Sequence, residues 1–184
     1  LMTVFAGMVD ELGAEPRVRA FWGPRFRRFA EWFAETEPAR RSGVLETLAE
    51  IEGKEVLETL SGGFTLRGRA DRIDVTERGI VITDYKTGSP PAESKVIDGF
   101  APQLPLEAAM AIAGAFTGLP SSSVSGLRYI RASGGEPPGV DVDLKLKDTT
   151  PAELAAQARK GLVDLIRPFD DPAPPYRPCP LNQS

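Results

Sequence analysis

Two runs of β-branched residues, separated by a short polar segment, constrain the fold of this chain most strongly. Residues 64–75 alternate loosely between apolar and polar positions, and residues 80–85 read Ile-Val-Ile-Thr-Asp-Tyr. The segment between them, residues 76–79, ends in Gly79, which can adopt the positive φ that a tight turn requires. This pattern predicts an antiparallel β-hairpin.

The register of this hairpin decides which polar side chains meet. Pairing Val75 with Ile80 closes a loop of about four residues and places Asp71 opposite Asp84. Because side chains alternate between the two faces of a strand, Lys86 then shares a face with both acids. Two carboxylates opposite each other destabilise a sheet by up to about 1 kcal/mol, whereas a divalent cation between them is stabilising. The register therefore points to a magnesium or manganese site.

Two alternatives remain open at this point. Asp71 and Asp84 could be solvated strand ends that form a salt bridge with Lys86. In the same register Asp74 lies on the opposite face, beside Arg72, and is interpreted as structural. A slip of one residue would exchange the roles of Asp71 and Asp74.

These residues resemble the motifs of the PD-(D/E)XK nuclease superfamily, and more narrowly those of the RecB-type nuclease domain in the AddB subunit of bacterial AddAB helicase–nucleases. Gly68–Asp71 matches a strand that ends in Gly-x-x-Asp, and Asp84–Gly88 matches Asp-Tyr-Lys-Thr-Gly without change. The third motif, a glutamine that opens a helix, is matched by Gln103. The three motifs follow the order of the family over roughly residues 60–115.

The resemblance implies an α/β (α+β) fold with a restriction-endonuclease-like core, in which helices flank a mixed central β-sheet that contains the antiparallel catalytic hairpin. It also implies a role for each matched residue. Asp71, Asp84 and the backbone carbonyl of Tyr85 are the expected metal ligands. Lys86 is expected to be catalytic, and Gln103 to organise the site or the DNA strand.

The function implied by the resemblance is that of a metal-dependent DNA nuclease, an exonuclease that uses Mg²⁺ or Mn²⁺. Such a domain would be the nuclease part of a cytoplasmic helicase–nuclease that repairs double-strand breaks with an AddA-like partner subunit. The alternative is a catalytically incompetent DNA-binding or scaffold domain with the same fold. The net charge of −4 argues against tight independent DNA binding, and no membrane partner is expected.

The sequence departs from the family at two points. The family usually carries an upstream histidine, whereas this chain contains none and begins at Leu1, so we expect an N-terminally truncated fragment of a larger chain. Glu107 stands where the glutamine motif often has a tyrosine four positions after Gln103. Glu107 could serve the site, but we expect it to be an ordinary exposed helix residue.

The chain fits a single nuclease-like domain over residues 1–167, followed by a proline-rich tail over residues 168–184. A single cysteine, Cys179, excludes a disulfide framework and suggests a reducing compartment. No run of about 20 apolar residues is present, so the sequence does not predict a membrane helix.

Hydrophobic periodicity predicts the remaining elements. The last helix should begin after Thr150, whose side chain can form a capping box with Glu153. The other expected features are a helix end within 1–12, an amphipathic helix over 17–36 with a possible break at Gly23-Pro24, a strand within 44–60, a turn at 61–63, a loop over 89–100, a helix over 103–116, strands over 124–130 and 140–147, and a buried stripe of Leu154, Ala158, Leu162 and Leu165.

Overall fold

The computed structural model describes residues 16–57 and 63–170. The predicted helix end within 1–12 lies outside the described residues. So do the first two positions of the turn predicted at 61–63 and the part of the proline-rich tail that follows residue 170.

Five strands in the described ranges form one mixed sheet, in the order β1-β2-β3-β4-β5. All neighbouring strands are antiparallel except β3 and β4, which are parallel. The strands are β1 Val44–Leu57, β2 Phe64–Thr76, β3 Gly79–Lys86, β4 Val124–Ala132 and β5 Gly139–Asp143.

Helices lie against the sheet and also form the crossover that a parallel strand pair requires. The chain passes from β3 through α2 and α3 before it returns as β4. The helices are α1 Pro16–Arg40, α2 Glu93–Ile97, α3 Gln103–Ile112 and α4 Pro151–Ile166, and a 3₁₀ turn over Arg167–Asp170 follows α4. The predicted mixed α/β fold with an antiparallel hairpin and flanking helices is confirmed. None of the described helices combines the length and the apolar character that crossing a membrane requires.

The hairpin of β2 and β3 has the predicted register. Val75 pairs with Ile80, and the ladder continues inward as far as Arg72 and Thr83. Gly79 closes the turn with a φ of 120°, and a Cβ atom there would lie 2.5 Å from the carbonyl oxygen of Ser123. Glycine is therefore required at this position for both its backbone conformation and its small size.

One face of the sheet packs on α3 and α4, and α1 covers the other. The core between the sheet and the two C-terminal helices is built from buried apolar side chains, among them Ile73, Ile82, Leu127, Leu104 and Leu154. This core ends where β3 becomes polar, at Asp84 and Lys86. The apolar strand residues therefore fix the position of the charged end.

Several predicted boundaries were wrong. α1 continues through Gly23-Pro24 without a break, and the predicted loop over 89–100 contains α2. The helix predicted over 103–116 ends at Ile112, and the strand predicted over 140–147 ends at Asp143.

The start of α4 was predicted correctly, because it depends on local hydrogen bonds. The hydroxyl of Thr150 accepts a hydrogen bond from the backbone N–H of Glu153, and the Glu153 carboxylate accepts one from the backbone N–H of Thr150. The buried stripe was wrong at Leu165, which is 67% exposed. Leu165 lines an open apolar groove with Leu162 and Leu106, a space that α2 and α3 leave unfilled.

Candidate active site

Asp84, Lys86 and Gln103 form a closed set of contacts at the end of β3. The Lys86 Nζ atom lies 2.7 Å from Oδ2 and 3.0 Å from Oδ1 of Asp84, which is buried. Gln103, the first residue of α3, donates from Nε2 to Asp84 Oδ1 at 2.5 Å. The Gln103 Oε1 atom in turn accepts a hydrogen bond from Lys86 at 2.8 Å. The side-chain amide therefore bridges the carboxylate and the amine.

Asp71 joins this set through the backbone of β3. The β2–β3 ladder ends at the pair Arg72 and Thr83, while β3 continues beside β4. Beyond that point the backbone N–H of Tyr85 donates to Asp71 Oδ2 at 2.9 Å. The Asp71 charge also raises the pKa of Asp84, so the two carboxylates lie within Coulomb range. The structure thus brings Asp71, Asp84, Lys86 and Gln103 to one end of the sheet.

Glu107 belongs to the same cluster, and the expectation that it is exposed was wrong. It lies one helical turn after Gln103 and retains only 6% of its exposure. Its Oε1 atom accepts a hydrogen bond from Gln103 Nε2 at 3.1 Å. Its Oε2 atom is buried and has no hydrogen-bond partner in the part of the chain that the structure describes. The sequence carried a signal, because a helix that is apolar nearly all round is buried on every side, and residues 104–112 contain no other charged residue.

Burial and the charges of neighbouring acids raise the pKa of two carboxylates in this cluster, Glu107 and Asp84. Burial raises the pKa of Glu107 to about 7. The hydrogen bond from Gln103 lowers it, and the charges of Asp84 and Asp71 raise it. Burial likewise raises the pKa of Asp84, although the hydrogen bond and charge of Lys86 oppose the shift. Three carboxylates around one lysine are short of positive charge, which is the electrostatic condition for binding a cation.

The sequence matches the family model of the PD-(D/E)XK nuclease superfamily over residues 3–182. The chain belongs to the PD-(D/E)XK nuclease superfamily. A match that spans almost the whole chain includes every element of the sheet and both motif-bearing strands of the hairpin. The cluster at the end of β3 is therefore the candidate active site of a nuclease-superfamily domain.

This superfamily member is also similar to longer rickettsial proteins, each described only as uncharacterized. It is 31% identical to one from Rickettsia typhi over 99 residues, which cover 53% of this chain and 12% of the relative. A protein from Rickettsia conorii is 31% identical over 97 residues (52% and 12%), and one from Rickettsia bellii is 24% identical over 160 residues (79% and 19%). The chain thus spans less than a fifth of the length of these relatives.

The donor atoms of the PD-(D/E)XK site suit a hard divalent cation, since all are carboxylate, amide or backbone oxygens. No group of three or more Asp, Glu, His or Cys side chains in the described residues is placed to hold a metal ion. The carboxylates of Asp71 and Asp84 with the Tyr85 carbonyl remain the predicted ligand set. Lys86 and Gln103 both donate to Asp84 Oδ1, whereas the buried Oδ2 atom, 2.7 Å from Lys86, has no hydrogen-bond partner among the described residues and is free to accept a cation. The metal-binding roles stay predictions.

Asp74 lies on the opposite face of β2, in a buried ion-pair network. Arg72 donates from Nε to both oxygens of Asp74, at 2.9 and 3.0 Å. The Arg72 Nη1 atom donates to both oxygens of Glu37 on α1, at 2.9 and 3.0 Å. Burial raises the pKa of Glu37, but hydrogen bonds from Arg72, Arg41 and Arg40 prevail and lower it to about 2. Asp74 thus contacts Arg72 as the sequence suggested, and the network ties α1 to the hairpin.

Sequence reasoning missed Glu37, because no local signal connects it with β2. Glu37 lies 35 residues before Arg72 along the chain. Tyr85 belongs to this same face, since its ring contacts Phe33 of α1 with 6.4 Å between centroids. The side chain of Tyr85 therefore points away from the acidic cluster, and only its backbone is available to a metal there.

Proposed function

We propose that this domain is a metal-dependent deoxyribonuclease that hydrolyses phosphodiester bonds at the end of β3. The observation that carries the proposal is that Lys86, Asp84 and Gln103 contact one another at distances of 2.5–3.0 Å. Asp71 lies beside these three residues. A lysine held among acids next to a chemically suitable cation site matches what hydrolysis of a phosphodiester requires.

Each side chain has a distinct role in this proposal. A Mg²⁺ or Mn²⁺ ion held by Asp71, Asp84 and the Tyr85 carbonyl would supply Lewis acidity and lower the pKa of an attacking water. Lys86 donates a hydrogen bond to that water or to a phosphate oxygen. Gln103 holds the Lys86 amine in place, because its Oε1 atom accepts from Nζ and its Nε2 atom donates to Asp84.

The finer assignment rests on the resemblance of the motifs. Three motifs support an AddB-like exonuclease domain of the RecB type, namely Gly68–Asp71, Asp84–Gly88 and Gln103. Under this proposal the whole protein works in the cytoplasm with an AddA-like helicase–nuclease partner during double-strand break repair. The lone Cys179 is consistent with a reducing compartment.

The test is cleavage of end-labelled DNA by the intact protein, with and without Mg²⁺. Asp84→Ala and Lys86→Ala should each reduce the rate by about 100-fold or more, while the circular dichroism spectrum stays that of the parent. Asp98→Ala, at an exposed position after α2, is the matched control and should cut at the parental rate.

Two results would count against the proposal in different ways. Cleavage by Asp84→Ala at the parental rate and with the parental metal dependence would show that the mechanism is wrong. A parent that binds DNA but does not cut it with Mg²⁺ or Mn²⁺ would favour the scaffold alternative.

A further inference from the structure

Arg131 lies on β4 directly beside Lys86. The parallel register pairs Asp84 with Tyr129 and Lys86 with Arg131. Paired residues on neighbouring strands project from the same face, and such strands lie about 4.8 Å apart. Arg131 is therefore on the face that carries the acidic cluster, one strand away from the amine of Lys86.

The surroundings of Tyr129 support this placement. Burial, followed by the charges of Asp84 and Glu107, raises the pKa of Tyr129 to about 12. The Tyr129 side chain thus lies within Coulomb range of the acidic cluster. Arg131 is two residues further along β4 and so projects from the same side of the strand.

Within residues 16–57 and 63–170, Arg131 lacks the partner that a partly buried arginine usually has. Its Nε atom is buried and has no hydrogen-bond partner among the described residues, and no ion pair involves Arg131 there. Arg128 provides the contrast, because it lies on the opposite face of the same strand and donates from Nε to Asp143 at 2.6 Å. A buried guanidinium donor without an acceptor costs free energy that an anionic ligand would recover.

We propose that Arg131 binds a phosphate of the nucleic-acid strand next to the phosphodiester that Lys86 contacts. The inference rests on the proposed function, and it adds a substrate-binding residue that the motifs do not contain. A guanidinium presents two parallel N–H donors that match the oxygens of a phosphate. Arg131 and Lys86 together form a cationic pair that aligns the strand across the end of β3, whereas the acids repel it.

The experiment measures binding of a fluorescein-labelled single-stranded oligodeoxynucleotide to the intact protein in EDTA, across a salt series. EDTA removes divalent metal, so affinity is measured without turnover. Arg131→Met should weaken binding about 5- to 10-fold near 0.1 M salt and reduce the slope of log K against log salt by about 0.7, the loss of one phosphate contact. Arg131→Lys should keep most of the slope, and Arg128→Met, the matched control, should bind like the parent.

The outcomes separate this inference from the proposed function. If Arg131→Met binds with the parental affinity and salt slope, the inference is overturned, even where Asp84→Ala abolishes cleavage. If Arg131→Met loses the slope while Asp84→Ala cuts normally, Arg131 binds phosphate but the proposed mechanism fails. Should Arg131→Met unfold, the neutral variant Arg131→Gln replaces it, and a folded Arg131→Gln with the parental affinity and salt slope also overturns the inference. Equal competition by inorganic phosphate at the same phosphate concentration would contradict a strand-binding role.

Discussion

Replacing Glu107 by glutamine should stabilise the protein near pH 8 and leave its stability unchanged near pH 4.5. Glutamine keeps the side-chain oxygen that accepts the hydrogen bond from Gln103, and it removes the negative charge of a buried carboxylate. The pKa of Glu107 rises from its ordinary value of 4.5 to about 7 in the folded protein. The folded state therefore binds this proton more tightly than the unfolded state, and stability falls as the pH rises from 4.5 through 7.

The magnitude follows from the size of that shift. At about 1.4 kcal/mol per pKa unit, the charged carboxylate costs about 3 kcal/mol above pH 7. Glutamine removes this cost, so the melting temperature of a chain of this size should rise by about 6–12 °C near pH 8. Below pH 4.5 the carboxyl is neutral in both states, and the parent and the variant should then agree.

The assay is urea denaturation of the parent and Glu107→Gln in EDTA, at several values between about pH 4.5 and 8. Glu77→Gln, which changes an exposed residue of the hairpin turn, is the control and should match the parent at every pH. Destabilisation by Glu107→Gln near pH 8, or a stabilisation that is independent of pH, would refute the argument that burial of the charge controls this site.

Two further substitutions test the supports of the hairpin and of β5. Arg72→Met leaves Asp74 and Glu37 without their shared cation, and in urea denaturation it should destabilise the protein by about 3–5 kcal/mol. The control Arg69→Met removes an exposed ion pair with Glu50 and should cost under about 1 kcal/mol. Similar losses for the two variants would contradict a buried role for the network. Gly139→Ala places a Cβ atom against the ring of Trp32 and should cost about 1–3 kcal/mol. Gly161→Ala in α4 meets open space and should be neutral or stabilising. Thermal melts in which Gly139→Ala is the more stable variant would show that Trp32 does not pack against Gly139.

The hairpin and the start of α4 could be predicted because both depend on local patterns. The β-branched runs and the four-residue turn determine that Val75 pairs with Ile80, and that register assigns Asp71 and Asp84 to one face. The capping box at Thr150 is likewise encoded within four residues. At the hairpin and at the start of α4, local sequence alone was therefore enough to predict the geometry.

Features that depend on tertiary packing were not predictable in the same way. The apolar residues around Glu107 indicate a buried helix, but only the packing of α3 against the sheet shows that its carboxylate is buried within the influence of Asp84. α1 continues through Pro24, although a proline inside a helix removes one hydrogen bond. The contact of Glu37 with Arg72 joins distant parts of the chain, and only the folded structure reveals it.

The most direct test of the central claim is anomalous diffraction from crystals of the intact protein soaked in Mn²⁺. The account predicts an anomalous peak in contact with carboxylate oxygens of both Asp71 and Asp84. Absence of a peak at these two carboxylates at saturating Mn²⁺ would contradict it.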